Sequence, residues 1–289
     1  MDLVNGIVTS VFDVLMKGLG WMGWIGSAVV LSGIFGILAL IAFKYISFQG
    51  GIKSVKDKIK GAMIEIRLYQ NDLGIVSKAV FKVLGRNFQY LGLNFGPILP
   101  LLVPFVFVAG QLVVRFAFVP LPVWTDARGE WMPGKGTTVT LVMAKGDEKR
   151  VADVDVDLPK TLEIKSPIVR NTRQGKLFFE VVPVAAGDEV MHFRMPGGVD
   201  VEKRIVTGDL GQVPVGDVLQ GLRSTAFADK LQYPGESSPS GSPIAKVEFA
   251  YPERDVPGPV DGVMGILLLF LVASMAFGFA LLKPLKIQI

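Results

Sequence analysis

Residues 21–43 read WMGWIGSAVVLSGIFGILALIAF, an unbroken run without a single charged side chain. About 20 apolar residues in a helix cross the roughly 30 Å hydrocarbon core of a bilayer, so this run is long enough to span one. Two further runs share its character. Residues 98–120, ILPLLVPFVFVAGQLVVRFAFVP, are interrupted only by Gln111 and Arg115, and residues 263–282, VMGILLLFLVASMAFGFALL, carry no charge. Each is too long and too uniformly apolar for the core helix of a small soluble domain. Composition agrees: the 289 residues are 50% hydrophobic and 19% charged, with a mean hydropathy of +0.46, whereas soluble domains carry roughly 25% charged residues. The absence of cysteine excludes disulfides, thiolate metal sites and a cysteine nucleophile, and the single histidine, His192, excludes a histidine metal cluster.

The charges predict an orientation. Between Lys44 and Asn94 nine basic residues face three acidic ones, whereas between Leu121 and Val260 there are 17 basic and 20 acidic residues. Short loops rich in Lys and Arg stay in the cytoplasm. The first loop and a tail carrying Lys283 and Lys286 are therefore expected inside, with the N-terminus and the large loop outside. This places the chain in a cell's inner (cytoplasmic) membrane as a multi-pass protein. The overall charge of +4 then reflects topology, and no specific nucleic acid is expected as a partner.

The expected segments follow. Residues 1–20 form an external interfacial helix, because Leu3, Ile7, Val11, Val14 and Leu15 recur at helical spacing between polar residues. A first span covers 21–43, uncleaved because no basic n-region precedes it. Residues 44–94 form a cytoplasmic basic hairpin. In its first arm Ile52, Val55, Ile59, Ala62, Ile66 and Tyr69 step by three and four, as in a coiled-coil seam. Asn71-Asp72-Leu73-Gly74 supplies a turn. In the second arm Leu73, Val76, Val80 and Val83 continue the seam through Leu84, Phe88 and Leu91. Lys53, Lys56, Lys58, Lys60 and Arg67 line the basic face, which suits anionic lipid or a ribosome. The second span and its entry cover 95–120, the third 259–283 and a cytoplasmic tail 284–289.

Between the last two spans, residues 121–258 alternate apolar and polar positions at 137–142, 151–158, 176–184, 199–206 and 246–251. Such strands, broken by Pro and Gly, predict an extracytoplasmic all-β, sandwich-like domain, with a flexible loop over Pro234–Pro243. Chemistry is sparse there. Asp153, Asp155 and Asp157 are expected as a solvated acidic row without the remainder of a calcium loop. His192 is expected on a strand with no catalytic partner. Gly134-Lys135-Gly136-Thr137-Thr138 lacks the spacing of a phosphate loop. No enzymatic activity, cofactor or metal is expected.

Across residues 21–120 the sequence resembles the YidC/Oxa/Alb superfamily of membrane protein insertases, in its short three-helix branch. The residues that carry this are Ile59-Lys60-Gly61-Ala62-Met63-Ile64-Glu65-Ile66 at the start of the hairpin, Asn71-Asp72 at its turn, and Asn94-Phe95-Gly96-Pro97-Ile98-Leu99-Pro100-Leu101-Leu102-Val103-Pro104-Phe105 at the entry to the second span. Leu99, Pro100 and Pro104 keep the family's spacing. The first span departs from the bacterial members in lacking an arginine, the chain has three spans rather than five, and the β-region replaces a short loop. The resemblance implies a polar groove that helps clients into the membrane. Polar groups within spans are expensive and often functional. Gln111 and Arg115, four apart on one helix face, with Ser27, Ser32 and Ser274, are the residues available for such a groove; alternatively Arg115 snorkels to the headgroups. The function expected is insertase-like or chaperone-like assistance to membrane protein insertion or assembly, with membrane lipids and other membrane proteins as partners. The alternative is an accessory or scaffolding subunit of a larger membrane complex that binds partners through its β-domain and hairpin.

Overall fold

A computed structural model describes residues 1–124, 134–237, 239 and 241–285. Residues 286–289 of the expected tail, Ser238 and Ser240 of the Pro234–Pro243 loop, and residues 125–133 of the β-region lie outside the described residues. Three helical stretches, Asp2–Ile46, Leu73–Phe116 and Gly262–Leu282, are long and apolar enough to cross a membrane. A separate antiparallel β-sheet region lies between the second and third. The chain divides into two compact units, residues 1–28 with 106–270, and residues 29–105 with 271–289.

In the second unit, α2 (Gly23–Ile46) leads into a helical hairpin of α3 (Gln49–Leu68) and α4 (Leu73–Phe95). The two arms are antiparallel, as the Lys82–Glu65 ion pair across them at 3.0 Å requires. On α3 the expected seam is the buried one as far as Ile66: Ile52, Val55 and Ala62 are buried and Ile59 and Ile66 half-buried, whereas Tyr69, just past the helix end, is exposed. On α4 the expected frame is corrected. The inward stripe is Val76, Ala79, Val83, Arg86 and Tyr90, with Ala79 fully buried, whereas Leu73, Val80, Leu84, Phe88 and Leu91 are exposed. A small alanine at the contact lets the two helix backbones approach, and that choice of face rotates the larger side chains outward.

The hairpin turn is set by Asp72, whose Oδ1 accepts hydrogen bonds from the Gly74 and Ile75 amides at 2.9 and 3.1 Å. This satisfies two of the free N–H groups at the start of α4. Asp72→Ala is expected to cost about 1 kcal/mol and to speed hydrogen exchange at those two amides. Unchanged exchange there would mean that the cap contributes nothing.

In the first unit, α1 (Asp2–Leu19), the start of α2, the end of α5 (Ile98–Phe116) and the start of α7 (Gly262–Leu282) accompany the β-region. One sheet runs β3 (Leu162–Ile164), β5 (Lys176–Pro183), β1 (Thr137–Met143), β9 (Ile244–Phe249), β8 (Leu222–Ser224), with β4 (Val169–Asn171) also paired to β5. A second sheet orders β2 (Asp155–Asp157), β6 (Gly187–Met195) and β7 (Val199–Thr207). All these pairings are antiparallel. Alternation carries inward residues such as Val139, Leu141 and Met143 on β1 into the core. The strand expected at 151–158 is mostly absent. Residues Glu148–Asp153 form a 3-10 turn, and only Asp155–Asp157 pair as a strand. Val151 and Val154 are both buried, and side chains three apart share a face in a 3-10 turn, so period two there is overridden by packing. A short helix, α6 (Phe227–Gln232), precedes β9.

Candidate functional site

Gln111 and Arg115 lie in the last turns of α5, where every residue from Ala109 to Phe116 is buried. An apolar helix so enclosed cannot leave a guanidinium unpaired, and each Arg115 nitrogen has a partner. Nε donates to Gln111 Oε1 at 3.1 Å, Nη1 to the Gly216 carbonyl at 2.8 Å, and Nη2 to the Thr9 carbonyl at 3.2 Å and the Asp13 carboxylate at 2.6 Å. Gln111 Nε2 donates to Thr9 Oγ1 at 2.7 Å, and the Phe12 ring lies 5.8 Å from the guanidinium carbon. Gly216 has φ +78, and a Cβ there would overlap the Met16 side chain, so glycine lets this carbonyl approach. Arg115 therefore does not snorkel to solvent: its side chain is 2% exposed and anchors α1 to α5.

The same contacts explain α1. Asn5, Phe12 and Met16 are buried, and Asn5 Nδ2 donates to the Lys230 carbonyl at 2.9 Å. Leu3, Ile7, Val11 and Val14 are exposed on the other side. Asn5, Thr9 and Asp13 of this helix thus meet protein, whereas its apolar stripe faces away and Ser10 and Lys17 are exposed.

Of the remaining groove candidates, Ser27 is the one in the same unit as Arg115, and its bonds go elsewhere. Ser27 Oγ donates to the Leu19 and Gly23 carbonyls at 2.9 and 2.8 Å, binding the corner between α1 and α2. Ser32 and Ser274 belong to the other unit, Ser32 buried and Ser274 donating to the Leu271 carbonyl of its own helix at 3.0 Å. Leu99 and Pro100 open α5, where a missing N–H costs no helical bond, and Pro104 lies inside the helix. Lys53, Lys56, Lys58, Lys60 and Arg67 are all exposed and make no ion pair among the described residues.

Two features of the hairpin unit lay beyond the sequence reading. On α4, Phe81, Leu84, Phe88, Leu91 and Phe95 are exposed at steps of three and four, a second heptad stripe distinct from the buried one. Phe95, at its end, lines a cavity of about 510 Å³ with Phe35, Ala39, Tyr90, Met275 and Phe279. The walls are almost wholly apolar. Asn94 also lines it, and its Oδ1 is buried with no hydrogen-bond donor among the described residues, while its Nδ2 donates to the Tyr90 carbonyl at 2.8 Å. Three-four spacing in Phe81–Phe95 was present in the sequence, but only the folded hairpin separates the two stripes.

In the β-region the chemically suggestive residues are structurally engaged. The amides of Gly134 and Gly136 clasp the Glu180 carboxylate, so the glycines that faintly suggest an anion loop hold a side chain of the chain itself. His192 Nδ1 lies 3.0 Å from the Asp200 carboxylate on the facing strand, and Asp157 pairs with Arg194. Lys203, 1% exposed, meets Glu236 and the Gln220 carbonyl; burial pushes its ammonium pKa down, against the opposing pull of Glu236. Burial holds the Tyr251 hydroxyl pKa well above the usual phenol range, and that oxygen accepts the Val206 amide at 2.9 Å. No group of His, Asp and Glu among the described residues is arranged to hold a metal ion. Compared with known proteins, the chain matches no family model, and neither a curated protein nor a solved structure shows significant similarity to it.

Proposed function

We propose that this protein holds apolar helices of client membrane proteins at its hairpin and passes them into the membrane, an insertase-like or chaperone-like role without covalent chemistry. The observation that carries this reading is the exposed Phe81–Phe95 stripe ending at the wall of the apolar cavity. An amphipathic helix presenting apolar anchors at heptad spacing is suited to receive another helix. In this reading the hairpin is cytoplasmic, the N-terminus and a β-sandwich lie outside, and Lys53, Lys56, Lys58, Lys60 and Arg67 meet anionic lipid or a ribosome. The chain is then a divergent relative of the YidC/Oxa/Alb insertases whose groove is apolar, because Arg115 is committed to architecture.

Photocrosslinking amino acids at Phe88, Phe95 and Met275, in inner-membrane vesicles with ribosome-bound nascent membrane proteins, test this. Nascent spans are expected to crosslink from all three positions and not from exposed Lys56. Crosslinks to lipid alone would sink the proposal. The second reading, a scaffolding subunit, draws on the closed Arg115 cluster, which spends the intramembrane charge on joining elements. It expects the same one or two partner proteins at these positions whether or not nascent chains are present.

A further inference from the structure

The ends of three apolar helices meet in the first unit around a second cavity, of about 290 Å³. Trp24 in the first turn of α2, Pro120 just past α5, and Arg254 ahead of α7 line it, together with Leu210, Gly211 and Asp217. Arg254 Nε donates to the Phe116 carbonyl at 2.8 Å and Nη2 to the Phe118 carbonyl at 3.1 Å. Its guanidinium thus caps the C-terminal end of α5 and lies 5.1 Å from the Trp24 ring. Nη1 makes no hydrogen bond and no carboxylate pairs with Arg254 among the described residues. Of the carboxylates nearby, Asp217 is held by Arg204 at 2.7 Å, Asp261 accepts the Val256 amide at 3.0 Å, and Glu253 lies beside Gly262 without pairing to Arg254. The other cation in the wall, Arg115, is already matched by Asp13. Half-burial without a counter-charge disfavours the charged form of Arg254, an unrelieved cost for a group that stays protonated.

We propose that this cavity binds a phosphate-bearing anion through Arg254, and that its occupant is the headgroup of an anionic phospholipid. The reason for a lipid is position. This inference rests on the reading that the three apolar helices span a membrane; their ends then lie at the headgroup level, where Trp side chains also concentrate. A guanidinium with spare N–H donors matches phosphate oxygens geometrically. The indole face holds the guanidinium plane, and the helix-end carbonyls orient it so that Nη1 is free for the ligand.

The chain has no cysteine, so a single Leu210→Cys at the cavity wall is a clean reporter. The full chain in maltoside micelles, which contain no phosphate, would be labelled with N-ethylmaleimide. Adding short-chain phosphatidylglycerol at about ten times its half-protecting concentration is expected to slow labelling about tenfold, as site occupancy requires. Slowing by phosphatidylglycerol but not by inorganic phosphate identifies a lipid site. Slowing by both identifies an anion site that free phosphate also fills. Slowing by neither overturns the proposal. Adding Arg254→Gln to the reporter chain is expected to abolish the slowing, and a full effect in that variant also overturns it. Should Arg254→Gln fail to fold, the reporter on the otherwise unaltered chain still decides. A failure of the membrane-spanning reading would appear earlier, as a chain that stays soluble without detergent.

Discussion

Arg115→Met is expected to lower the unfolding temperature of the detergent-solubilised protein by roughly 6–12 °C, the shift that about 3 kcal/mol produces in a domain of this size. The arginine is 2% exposed, and its removal strands several partners at once: the Gly216 and Thr9 carbonyls, Gln111 Oε1 and the Asp13 carboxylate. Asp13 remains 52% exposed and recovers hydration, which places the cost at the lower end for a broken buried pair. The lesion should be local as well as global. With α1 no longer tied to α5, protease sites around Gly18 and Gly20 should open first. Asp13→Asn alone should destabilise less, since an amide oxygen still accepts from Nη2. The double variant should cost less than the sum of the two, because the residues share one network. An Arg115→Met protein melting within a degree or two of the parent would show that the cluster does not anchor α1.

The second large effect is expected from a single methyl group. A Cβ at Gly36 would overlap the Ser274 carbonyl oxygen and lie 2.7 Å from its carbonyl carbon, so α2 and α7 touch backbone to backbone inside the hairpin unit. Small residues permit such close approach of helices in lipid. A carbonyl cannot rotate aside as a side chain can, so Gly36→Ala is expected to cost about 3 kcal/mol, the upper end for overpacking. Gly61, on α3, has nothing within 4 Å of its Cβ position. There the same substitution should raise stability by about 0.5–1 kcal/mol through the better helix propensity of alanine. Identical chemistry with opposite signs in one unit makes the comparison informative. Melting both variants in one detergent checks it, and a Gly36→Ala chain as stable as the parent would mean that the helices are less closely packed.

Much of the architecture was legible because it depends on local pattern. Length and apolarity mark α2, α5 and α7, and three-four spacing with Asn71-Asp72 marks the hairpin. Period two finds β1, β5 and β7. Pattern failed where packing outvoted it. Val151–Asp153 alternates perfectly and still turns, since burying Val151 and Val154 together requires it. On α4 two apolar stripes are equally good in sequence, and contact with α3 selects the one containing Ala79.

The residues of the candidate sites divide the same way. Gln111 and Arg115 stand out in any reading of the second span, because charge within an apolar run is costly. Their role is not readable there. Thr9, Asp13 and Gly216 lie more than 100 positions away, and spacing along the chain says nothing about contacts across that distance. The sequence by itself determined three helices able to cross a membrane, a basic helical hairpin and an antiparallel β-region, since each rests on hydrophobic periodicity within a short window. Only the tertiary structure decided that Arg115 is an internal anchor, that Arg254 has no carboxylate partner among the described residues, and that Phe81–Phe95 faces outward. Those outcomes depend on which surfaces meet, and a folded chain settles that through packing and hydrogen bonding between segments that are remote in sequence.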